Sequence, residues 1–428
     1  MSTTMLEPTT ESTVRFLDGL FAHTLLENVA IQLWDGTLWP DTRPRAATLV
    51  LKTPYALREM LAPGTAKGIG EAYLRGEFDV VGDMVAAIEL AVALENRPTG
   101  WLMSLAGYYR LRRLPAPPGT RYDGRTFGGL RGKDHSPERD RQAVSFHYDL
   151  SNEFYRLWLD ERMVYSCAYF EQEDDPIDTA QTAKLRHLCR KLRLQPGQHL
   201  LDIGCGWGGL AIFAARYYGV KVTGVTLSER QAELATARVR DGGLQEAVTI
   251  ALQDYRELER PGEFDAIVSV GMSEHVGRDH LPEYFKTAWR LLKPRGVFMN
   301  HAIGEGRQAD RFRGPSFVDE YVFPDGDIPP LPMVARAAEG AGFEIRDVEN
   351  LREHYALTLR HWVRRLEAAH EAALEWINEP TYRVWRVYLA GSAHGFEHAD
   401  LALYQTLLAK PDAAGRAGLP LTRRDWYA

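Results

Sequence analysis

A glycine-rich segment at residues 200–209 constrains the fold of this chain more than any other feature. It reads Leu-Leu-Asp-Ile-Gly-Cys-Gly-Trp-Gly-Gly, and Gly204, Gly206 and Gly209 satisfy the pattern G-x-G-x-x-G between a predicted strand and a predicted helix. Turns of this kind bring backbone N–H groups close to a nucleotide at the carboxyl edge of a parallel sheet. The pattern is weak by itself, so it predicts a nucleotide-binding type of fold and leaves the ligand open.

The surrounding sequence alternates short apolar runs with helical segments. Six strands are predicted, at residues 199–203, 220–226, 248–252, 264–270, 296–300 and 343–348. An amphipathic helix is predicted at residues 357–376. This alternation is typical of a parallel sheet with crossover helices. We therefore expect an α/β domain built on a Rossmann-like doubly wound sheet.

The N-terminal part of the chain has a mixed pattern. The predicted elements are a hairpin at residues 31–39 with its turn at Asp35-Gly36, a strand at residues 47–51, and helices at residues 55–61 and 80–94. They indicate a smaller α+β domain. Residues 110–141 contain Leu-Pro-Ala-Pro-Pro-Gly, which cannot continue a helix, and predict a linker. The predicted organisation is an accessory domain at 1–109, a linker at 110–141 and a catalytic domain at 142–428.

The predicted linker is basic within an acidic chain. It carries nine Lys or Arg against four Asp or Glu, whereas the whole chain has a net charge of −7. One interpretation is a solvated linker, and the other is a strip attracted to anionic lipid headgroups, with each basic residue contributing on the order of 1 kcal/mol. The overall acidity argues against nucleic-acid binding, because phosphate neutralisation needs a concentrated positive surface.

Cysteine and histidine spacing restricts the compartment and the metal chemistry. Cys167, Cys189 and Cys205 fit neither a disulfide framework nor a zinc pattern, which predicts a cytoplasmic protein. No signal peptide is evident and acidic residues interrupt the longest apolar stretches, so membrane contact is expected to be peripheral. His394 and His398 have the spacing of a helical metal pair without an evident third ligand, and we expect a surface pair and no metal.

The acidic residue of the glycine segment indicates which nucleotide it binds. A dinucleotide site needs an acid at the end of the second strand, but that strand ends in Thr226-Leu227-Ser228. Asp202 instead precedes the glycines, where it would repel a pyrophosphate and could accept a hydrogen bond from a cationic ligand. S-adenosylmethionine is therefore favoured over a nicotinamide dinucleotide or a purely structural turn.

Three separated motifs resemble one enzyme family. Residues 164–170 (Val-Tyr-Ser-Cys-Ala-Tyr-Phe), 202–209 and 226–231 (Thr-Leu-Ser-Glu-Arg-Gln) are similar to the cyclopropane-fatty-acyl-phospholipid synthase and mycolic acid cyclopropane synthase family, a match that extends over residues 146–404. The resemblance implies a class I methyltransferase fold, with an N-terminal domain like that of phospholipid-acting members. It implies that the cofactor is bound by Tyr165, Ser166, Leu200, Asp202, Gly204, Cys205, Gly206, Gly208, Thr226, Leu227, Ser228, Gln231, Asp254 and Tyr255. Helix capping by Thr226 and Ser228 is the structural alternative.

The same resemblance implies a catalytic group that holds bicarbonate. Its members would be Glu274 and His301, the backbone of Ile303, the phenol of Tyr355, and Cys167, which contributes backbone contact and packing. Each residue alone has an ordinary structural explanation. Glu274 and His301, however, end successive predicted strands, and ligands bind outside the carboxyl ends of such strands.

The reaction that the resemblance implies is addition of the methyl carbon of S-adenosylmethionine to a cis double bond of an unsaturated phospholipid, with bicarbonate-assisted closure of a cyclopropane ring. The alternative is a fatty-acyl C-methyltransferase that forms a methyl or methylene branch, completed by a separate reductase. A third hypothesis is a lipid-binding protein with an inactive catalytic domain. The expected setting is the inner face of the membrane, and a homodimer through the N-terminal domain is implied by the resemblance only.

Overall fold

A computed structural model describes residues 8–21, 27–62, 66–95, 109, 111–116, 129, 131–133, 135–148, 150–307, 317, 321–323 and 325–427. The chain divides into two units. The first comprises Met1–Phe127, Arg311–Val322 and Ile377–His394, and the second comprises Gly128–Asp310, Phe323–Trp376 and Gly395–Ala428. The division at 127/128 falls inside the predicted linker, of which residues 110, 117–128, 130 and 134 lie outside the described residues.

The first unit contains a four-stranded sheet with helices. Its strands are β1 (Val29–Gln32), β2 (Leu38–Trp39), β3 (Ala47–Leu51) and β4 (Phe78–Gly82), in the order β2-β1-β3-β4. Its first helices are α1 (Pro8–Leu20), α2 (Ala56–Leu61), α3 (Ala66–Leu74) and α4 (Met84–Glu95). The antiparallel pairing of Ile31 with Trp39 confirms the predicted hairpin, and Gly36 takes the left-handed conformation in its turn, at φ 88°.

One predicted helix of this unit begins too early in the sequence. The expected helix at residues 80–94 starts instead at Met84, and residues 78–82 pair antiparallel with β3. The boundary is set by Asp83, whose Oδ1 accepts a hydrogen bond of 2.9 Å from the N–H of Val85 and so caps α4. The apolar residues before Asp83 therefore belong to an extended strand.

The second unit contains a seven-stranded sheet flanked by helices. Its strands are β5 (His199–Ile203), β6 (Lys221–Thr226), β7 (Val248–Leu252), β8 (Phe264–Val270), β9 (Leu292–Glu305), β10 (Glu344–Asn350) and β11 (Leu401–Ala409). The α-helices that follow in the described residues are α5 (Pro137–Tyr148), α6 (Asn152–Arg156), α7 (Ile177–Lys191), α8 (Gly209–Tyr218), α9 (Glu229–Asp241), α10 (Leu281–Leu291), α11 (Leu331–Gly340), α12 (Arg352–Ala368), α13 (His370–Ala373) and α14 (Glu379–Glu397), and α14 up to His394 belongs to the first unit.

The strand order of this sheet is β10-β11-β9-β8-β5-β6-β7. The five strands from β9 to β7 are parallel, whereas β11 runs antiparallel between β9 and β10. All six predicted strands are present, β9 is longer than expected, and β11 was not predicted. The predicted helix at 357–376 is interrupted, because α12 ends before Ala369 and α13 follows.

Both faces of the second sheet are covered by apolar packing. Leu200 and Val268 belong to a core cluster on one face, and Leu201 and Ile267 belong to a cluster on the other. Consecutive residues of one strand are thus buried on opposite sides, as expected for a parallel sheet between two helical layers. This arrangement confirms the predicted α/β doubly wound class.

The helix α14 departs from the predicted domain boundaries, because its residues up to His394 belong to the first unit. Arg383 donates hydrogen bonds to the Asp79 carboxylate at 2.8 Å and to the Tyr73 carbonyl at 3.1 Å, and Arg386 donates to the Val80 carbonyl at 3.0 Å. Two buried guanidinium groups therefore hold this late part of the sequence on the first unit's sheet. The predicted domains are consecutive blocks of sequence, so they could not include a late helix that belongs to the first unit.

Candidate active site

The glycine segment joins β5 to α8 through a sharp turn. Gly204, Gly206 and Gly208 have φ angles of 77°, 53° and 77°, which side-chain-bearing residues rarely adopt. A Cβ atom on Gly204 would lie 3.0 Å from the side chain of Met272. The N–H groups of Gly204 and Cys205 both donate to the Val225 carbonyl, at 2.9 and 3.0 Å. The turn is therefore fixed against β6 and depends on glycine for its shape.

This turn forms one wall of a cavity within the second unit. Eleven of the fourteen predicted cofactor residues line that cavity, namely Tyr165, Ser166, Asp202, Gly204, Cys205, Gly206, Thr226, Leu227, Gln231, Asp254 and Tyr255. They come from the turn, from the ends of β6 and β7, and from the segment before α7. The structure thus brings together residues that are up to about ninety positions apart in the sequence.

The other three predicted cofactor residues do not line the cavity. Leu200 is fully buried in the core because it is the second residue of β5, a strand covered by apolar packing on both faces. Gly208 occupies the N-cap position of α8, and a Cβ atom there would lie 3.2 Å from Ala235. Ser228 caps α9, since its Oγ accepts a hydrogen bond of 3.3 Å from the N–H of Gln231.

The cavity also contains polar residues that were not predicted. The most informative is Lys184 on α7, which is fully buried and donates a hydrogen bond of 2.9 Å to Ser166 Oγ. Burial raises the pKa of Asp202 to about 7, an effect that nearby Lys184 opposes, and burial lowers the pKa of Lys184 to about 8. A lysine among the buried positions of α7 is the sequence signal that could have indicated this residue.

Asp254, by contrast, has its carboxylate engaged by a neighbouring arginine. Arg256 Nη2 lies 2.6 Å from Asp254 Oδ2 and 2.9 Å from Asp140 Oδ2, and all three residues line the cavity. Asp254 also caps the short turn Tyr255–Glu257 by accepting from the Arg256 N–H at 2.9 Å. The arginine joins this wall of the cavity to α5.

Glu274 lies in the 3-10 turn Ser273–His275 that follows β8. Its Oε1 accepts a hydrogen bond of 2.7 Å from the backbone N–H of Ile303. Its Oε2 is buried and has no hydrogen-bond partner among the described residues. Burial raises the pKa of Glu274 to about 7, although the Ile303 bond opposes the rise. This carboxyl group can therefore exist in either protonation state near neutral pH.

His301 lies on β9, two residues before Ile303, and is paired in register with Val270 of β8. Its Nδ1 is 3.2 Å from the side-chain Nε2 of Gln405, and its own Nε2 is buried without a partner among the described residues. Burial lowers the pKa of His301 well below its usual value, so the ring is neutral.

Cys167 and Tyr355 meet at the backbone of Leu351. The carbonyl of Leu351 accepts from the N–H of Tyr355 at 3.1 Å and from Cys167 Sγ at 3.8 Å. The N–H of Leu351 donates to Leu403, which pairs in register with Ile303. The residues predicted to be catalytic therefore belong to one connected region. Burial raises the pKa of the Cys167 thiol far above its usual value, which fits a packing role.

Aromatic rings connect the cofactor cavity to Tyr355. Tyr165 lies in the cavity wall, and its ring centroid is 5.3 Å from the ring centroids of Trp158 and Trp362. The ring centroids of Trp362 and Tyr355 are 6.0 Å apart. Trp158 and Trp362 are almost fully buried. The region between the cavity and Tyr355 is therefore lined by buried aromatic rings.

The two histidines considered as a metal pair do not form a surface pair. His394 is buried on α14, because that part of the helix packs in the first unit, and His398 is exposed. In the part of the chain that the structure describes, no cluster of three or more His, Cys, Asp or Glu side chains is arranged to hold a metal ion. Within the same ranges, no helix combines the length and apolar character needed to cross a membrane.

The doubly wound sheet, the glycine turn and the acid preceding it fit an S-adenosylmethionine-dependent methyltransferase, the class that the similar proteins support. Residues 135–406 match the family model described as mycolic acid cyclopropane synthetase, and the chain belongs to this family of cyclopropane and fatty acid methyltransferases.

Three similar proteins illustrate the range of this family. A probable fatty acid methyltransferase of Pseudomonas putida is 41% identical over 405 residues, covering 93% of this chain and 95% of that protein. The cyclopropane-fatty-acyl-phospholipid synthase of Escherichia coli K12 is 36% identical, with coverages of 85% and 88%. A crystal structure of mycolic acid cyclopropane synthase CmaA1 complexed with SAH and CTAB is 36% identical, with a TM-score of 0.59 over 63% of this chain and 97% of that one.

Proposed function

We propose that this enzyme adds the methyl carbon of S-adenosylmethionine to a cis double bond of an unsaturated phospholipid acyl chain and closes a cyclopropane ring. The observation that carries the proposal is that Glu274 Oε2, in the turn after β8, and His301 Nε2, on the adjacent strand β9, are both buried without a partner among the described residues. Buried polar atoms normally have partners, so a pair of this kind favours a polar ligand held beside the apolar region. The ligand proposed is bicarbonate.

The cofactor cavity suits a zwitterionic sulfonium ligand. Asp202 offers an acceptor to a cationic or hydroxyl group, whereas Lys184 and Ser166 Oγ offer donors to a carboxylate. When bound, S-adenosylmethionine supplies an electrophilic methyl group and bicarbonate supplies a base. The chain's own task is to orient the two and to keep the reacting double bond away from water.

Glu274 and His301 fit a singly charged oxyanion that shares a proton with the protein. A carboxyl group beside an anion must share at least one proton with it, and the raised pKa of Glu274, about 7, makes this protonation accessible. Neutral His301 can donate one hydrogen bond, and the phenol of Tyr355 would supply another. Ile303 contributes through its N–H, which holds the Glu274 carboxyl in place.

The aromatic walls support ring closure over capture by water. Methyl transfer to an isolated alkene creates a carbocation on the acyl chain, and loss of a proton from the added methyl group then forms the third ring bond. The rings of Trp158, Tyr165 and Trp362 bury this region and exclude water that would otherwise add to the cation.

A second candidate is a fatty-acyl C-methyltransferase that leaves a methyl or methylene branch for a separate reductase. The Pseudomonas putida relative, named as a probable fatty acid methyltransferase, favours this candidate. Both reactions use the same cofactor and begin with the same cation, and they differ in whether proton loss closes a ring or leaves a double bond.

The phospholipid substrate requires docking to a membrane surface, which we assign to the N-terminal region with the basic segment 110–141. Arg112, Arg113 and Arg141 of this segment are exposed. Arg139 is less available to lipid, because its guanidinium group donates to Asp325 at 2.9 Å. A peripheral position on the inner membrane face and a homodimer remain part of the proposal.

The proposal is tested by incubating the purified protein with S-adenosylmethionine, bicarbonate and vesicles of unsaturated phospholipid. Mass spectrometry after lipid separation should show the gain of one methylene unit and loss of the double bond. The same gain with a retained double bond would instead establish the branching reaction, and unchanged lipid with every acyl chain offered would overturn both.

A further inference from the structure

Three strands place a row of polar residues on one face of the second unit's sheet. His301 of β9 is in register with Gln405 of β11, which is in register with Glu349 of β10. Gln405 is fully buried, and its amide nitrogen lies 3.2 Å from His301 Nδ1. Register neighbours point to the same side of a sheet, so this row leads directly away from the proposed anion site.

Lys191, the last residue of α7, contacts the two residues of this row that follow His301, namely Gln405 and Glu349. Its Nζ lies 2.8 Å from Glu349 Oε2, 3.0 Å from Asp347 Oδ2 and 3.1 Å from Gln405 Oε1. Lys191 is fully buried, and an ammonium group has three N–H donors and no acceptor. Its three donors therefore match three oxygen acceptors.

The charges around Lys191 keep this arrangement in place. Burial alone would raise the pKa of Glu349, but hydrogen bonds from His187 and Lys191 lower it to about 2, so Glu349 is an ionised acceptor. Arg423 adds a contact of 3.0 Å to Asp347, and the Trp426 ring lies 5.3 Å from Lys191 Nζ.

The lysine fixes which way the Gln405 amide points. Because Lys191 can only donate, the amide oxygen must face it, and the amide NH₂ group must face His301. The NH₂ group can only donate, so His301 Nδ1 must accept. A neutral imidazole with an accepting Nδ1 carries its proton on Nε2, the atom without a partner among the described residues.

We propose that Gln405, oriented by Lys191, is a positioning residue that fixes His301 as the Nε2–H tautomer and so aims a hydrogen-bond donor at the reaction's anion. The identity of that anion rests on the function proposed above, whereas the tautomer does not. In the opposite tautomer, the lone pair of Nε2 would face the anion and repel it.

The test substitutes Gln405→Glu, which keeps the size and the Lys191 contact but removes the donor toward His301. The carboxylate accepts from Nδ1–H, so the proton should move to Nδ1. The readout is the ¹⁵N shifts of the ring nitrogens in the full-length protein with ¹⁵N-labelled histidine, His301 being assigned by the signals lost in His301→Gln. The wild type should show a protonated Nε2 and the variant a protonated Nδ1. A protonated Nδ1 in the wild type, or an unchanged tautomer in the variant, would overturn the proposal.

Turnover gives a second readout, with Thr406→Val as the matched control. Thr406 is the next residue on β11 and is also buried. Loss of one oriented donor should lower kcat roughly 100-fold in Gln405→Glu, while Thr406→Val keeps wild-type turnover.

If Gln405→Glu fails to fold, Gln405→Met replaces it, and the His301 signals should then show both tautomers. A single unchanged tautomer in Gln405→Met would contradict the inference. A branched lipid product would overturn the proposed function and leave the tautomer assignment intact.

Discussion

Glu274 Oε1 and the backbone N–H of Ile303 are joined by a hydrogen bond of 2.7 Å that links the turn after β8 to the end of β9. This single bond fixes the orientation of the carboxyl group and leaves Oε2 buried without a partner among the described residues. The same strand, two residues earlier, presents His301. The segment from His301 to Ile303 therefore positions both the imidazole of His301 and the carboxyl group of Glu274, and the two side chains need no direct hydrogen bond to each other.

The burial of Glu274 predicts a pH-dependent stability difference. Folding raises its pKa from 4.5 to about 7, so its contribution is fully present below pH 4.5 and is lost as the pH rises through 7. Glu274→Gln cannot ionise, and its unfolding free energy relative to wild type should rise by about 3 kcal/mol over that interval. Urea unfolding of both proteins across this pH range measures the difference in unfolding free energy. Exposed Glu246→Gln is the control, and a pH-independent difference for Glu274→Gln would refute the prediction.

Lys184→Met should weaken S-adenosylmethionine binding. The substitution keeps an unbranched apolar chain but removes the donor to Ser166 Oγ and the charge opposite Asp202. Loss of one charge-assisted hydrogen bond corresponds to a Kd about tenfold higher or more. Calorimetry measures the Kd, and Lys221→Met, at the exposed start of β6, should bind as the wild type does. Equal affinities for both variants would exclude Lys184 from the cofactor site.

Gly206→Ala separates backbone strain from cofactor binding. Gly206 has a φ of 53° and nothing within 4 Å of an added Cβ atom, so the cost is conformational, about 1–2 kcal/mol. Gly243 has a φ of 67° and equally open surroundings, but it does not line the cavity. Both alanine variants should lose similar stability in thermal unfolding, whereas only Gly206→Ala should lose cofactor affinity. Undiminished affinity in Gly206→Ala would show that cofactor binding does not depend on the shape of the glycine turn.

Charge reversal in the basic segment tests membrane docking. The double variant Arg112→Glu and Arg113→Glu should bind anionic vesicles at least roughly tenfold more weakly at low salt, because each basic residue contributes on the order of 1 kcal/mol. Arg216→Glu with Arg240→Glu makes the same charge change at exposed positions of α8 and α9. Vesicle sedimentation compares the pairs. Equal binding by both double variants would remove the segment from the docking surface.

The parallel strands could be predicted from the sequence because both of their faces are buried. Such strands appear as continuous apolar runs between glycines and helices, as residues 199–203 and 264–270 do. Strand β11 has a similar composition but follows α14 and returns antiparallel between two earlier strands. Its place depends on pairing partners distant in the sequence, which no local pattern reports.

The site could be predicted where its polar residues lie at or near the ends of predicted strands. Glu274 follows β8, and His301 lies in register with Val270, the last residue of β8, so both are near the carboxyl end of that strand. His301 does not end its own strand as predicted, because β9 continues to Glu305. Lys184 falls at helical spacing from the apolar residues Ile177, Ala180 and Leu188 of a largely polar helix, and Gln405 lies in a mainly apolar strand, but only tertiary packing gives the two residues their polar neighbours. Leu200 is buried in the core and does not line the cavity, because a family motif does not tell which of its residues point into the core.

The central claim is that Glu274 assists proton loss that closes a ring. The most direct measurement supplies S-adenosylmethionine with a fully deuterated methyl group to the wild type and Glu274→Gln, together with unsaturated phospholipid vesicles, and counts deuterium in the product by mass spectrometry. Wild-type product should retain two of the three deuterium atoms and no double bond, and Glu274→Gln should form it roughly 100-fold more slowly with unchanged cofactor affinity. A product that keeps a double bond, with three deuterium atoms after proton loss from the acyl chain or two after proton loss from the added methyl group, or equal rates for the two proteins, would contradict the account.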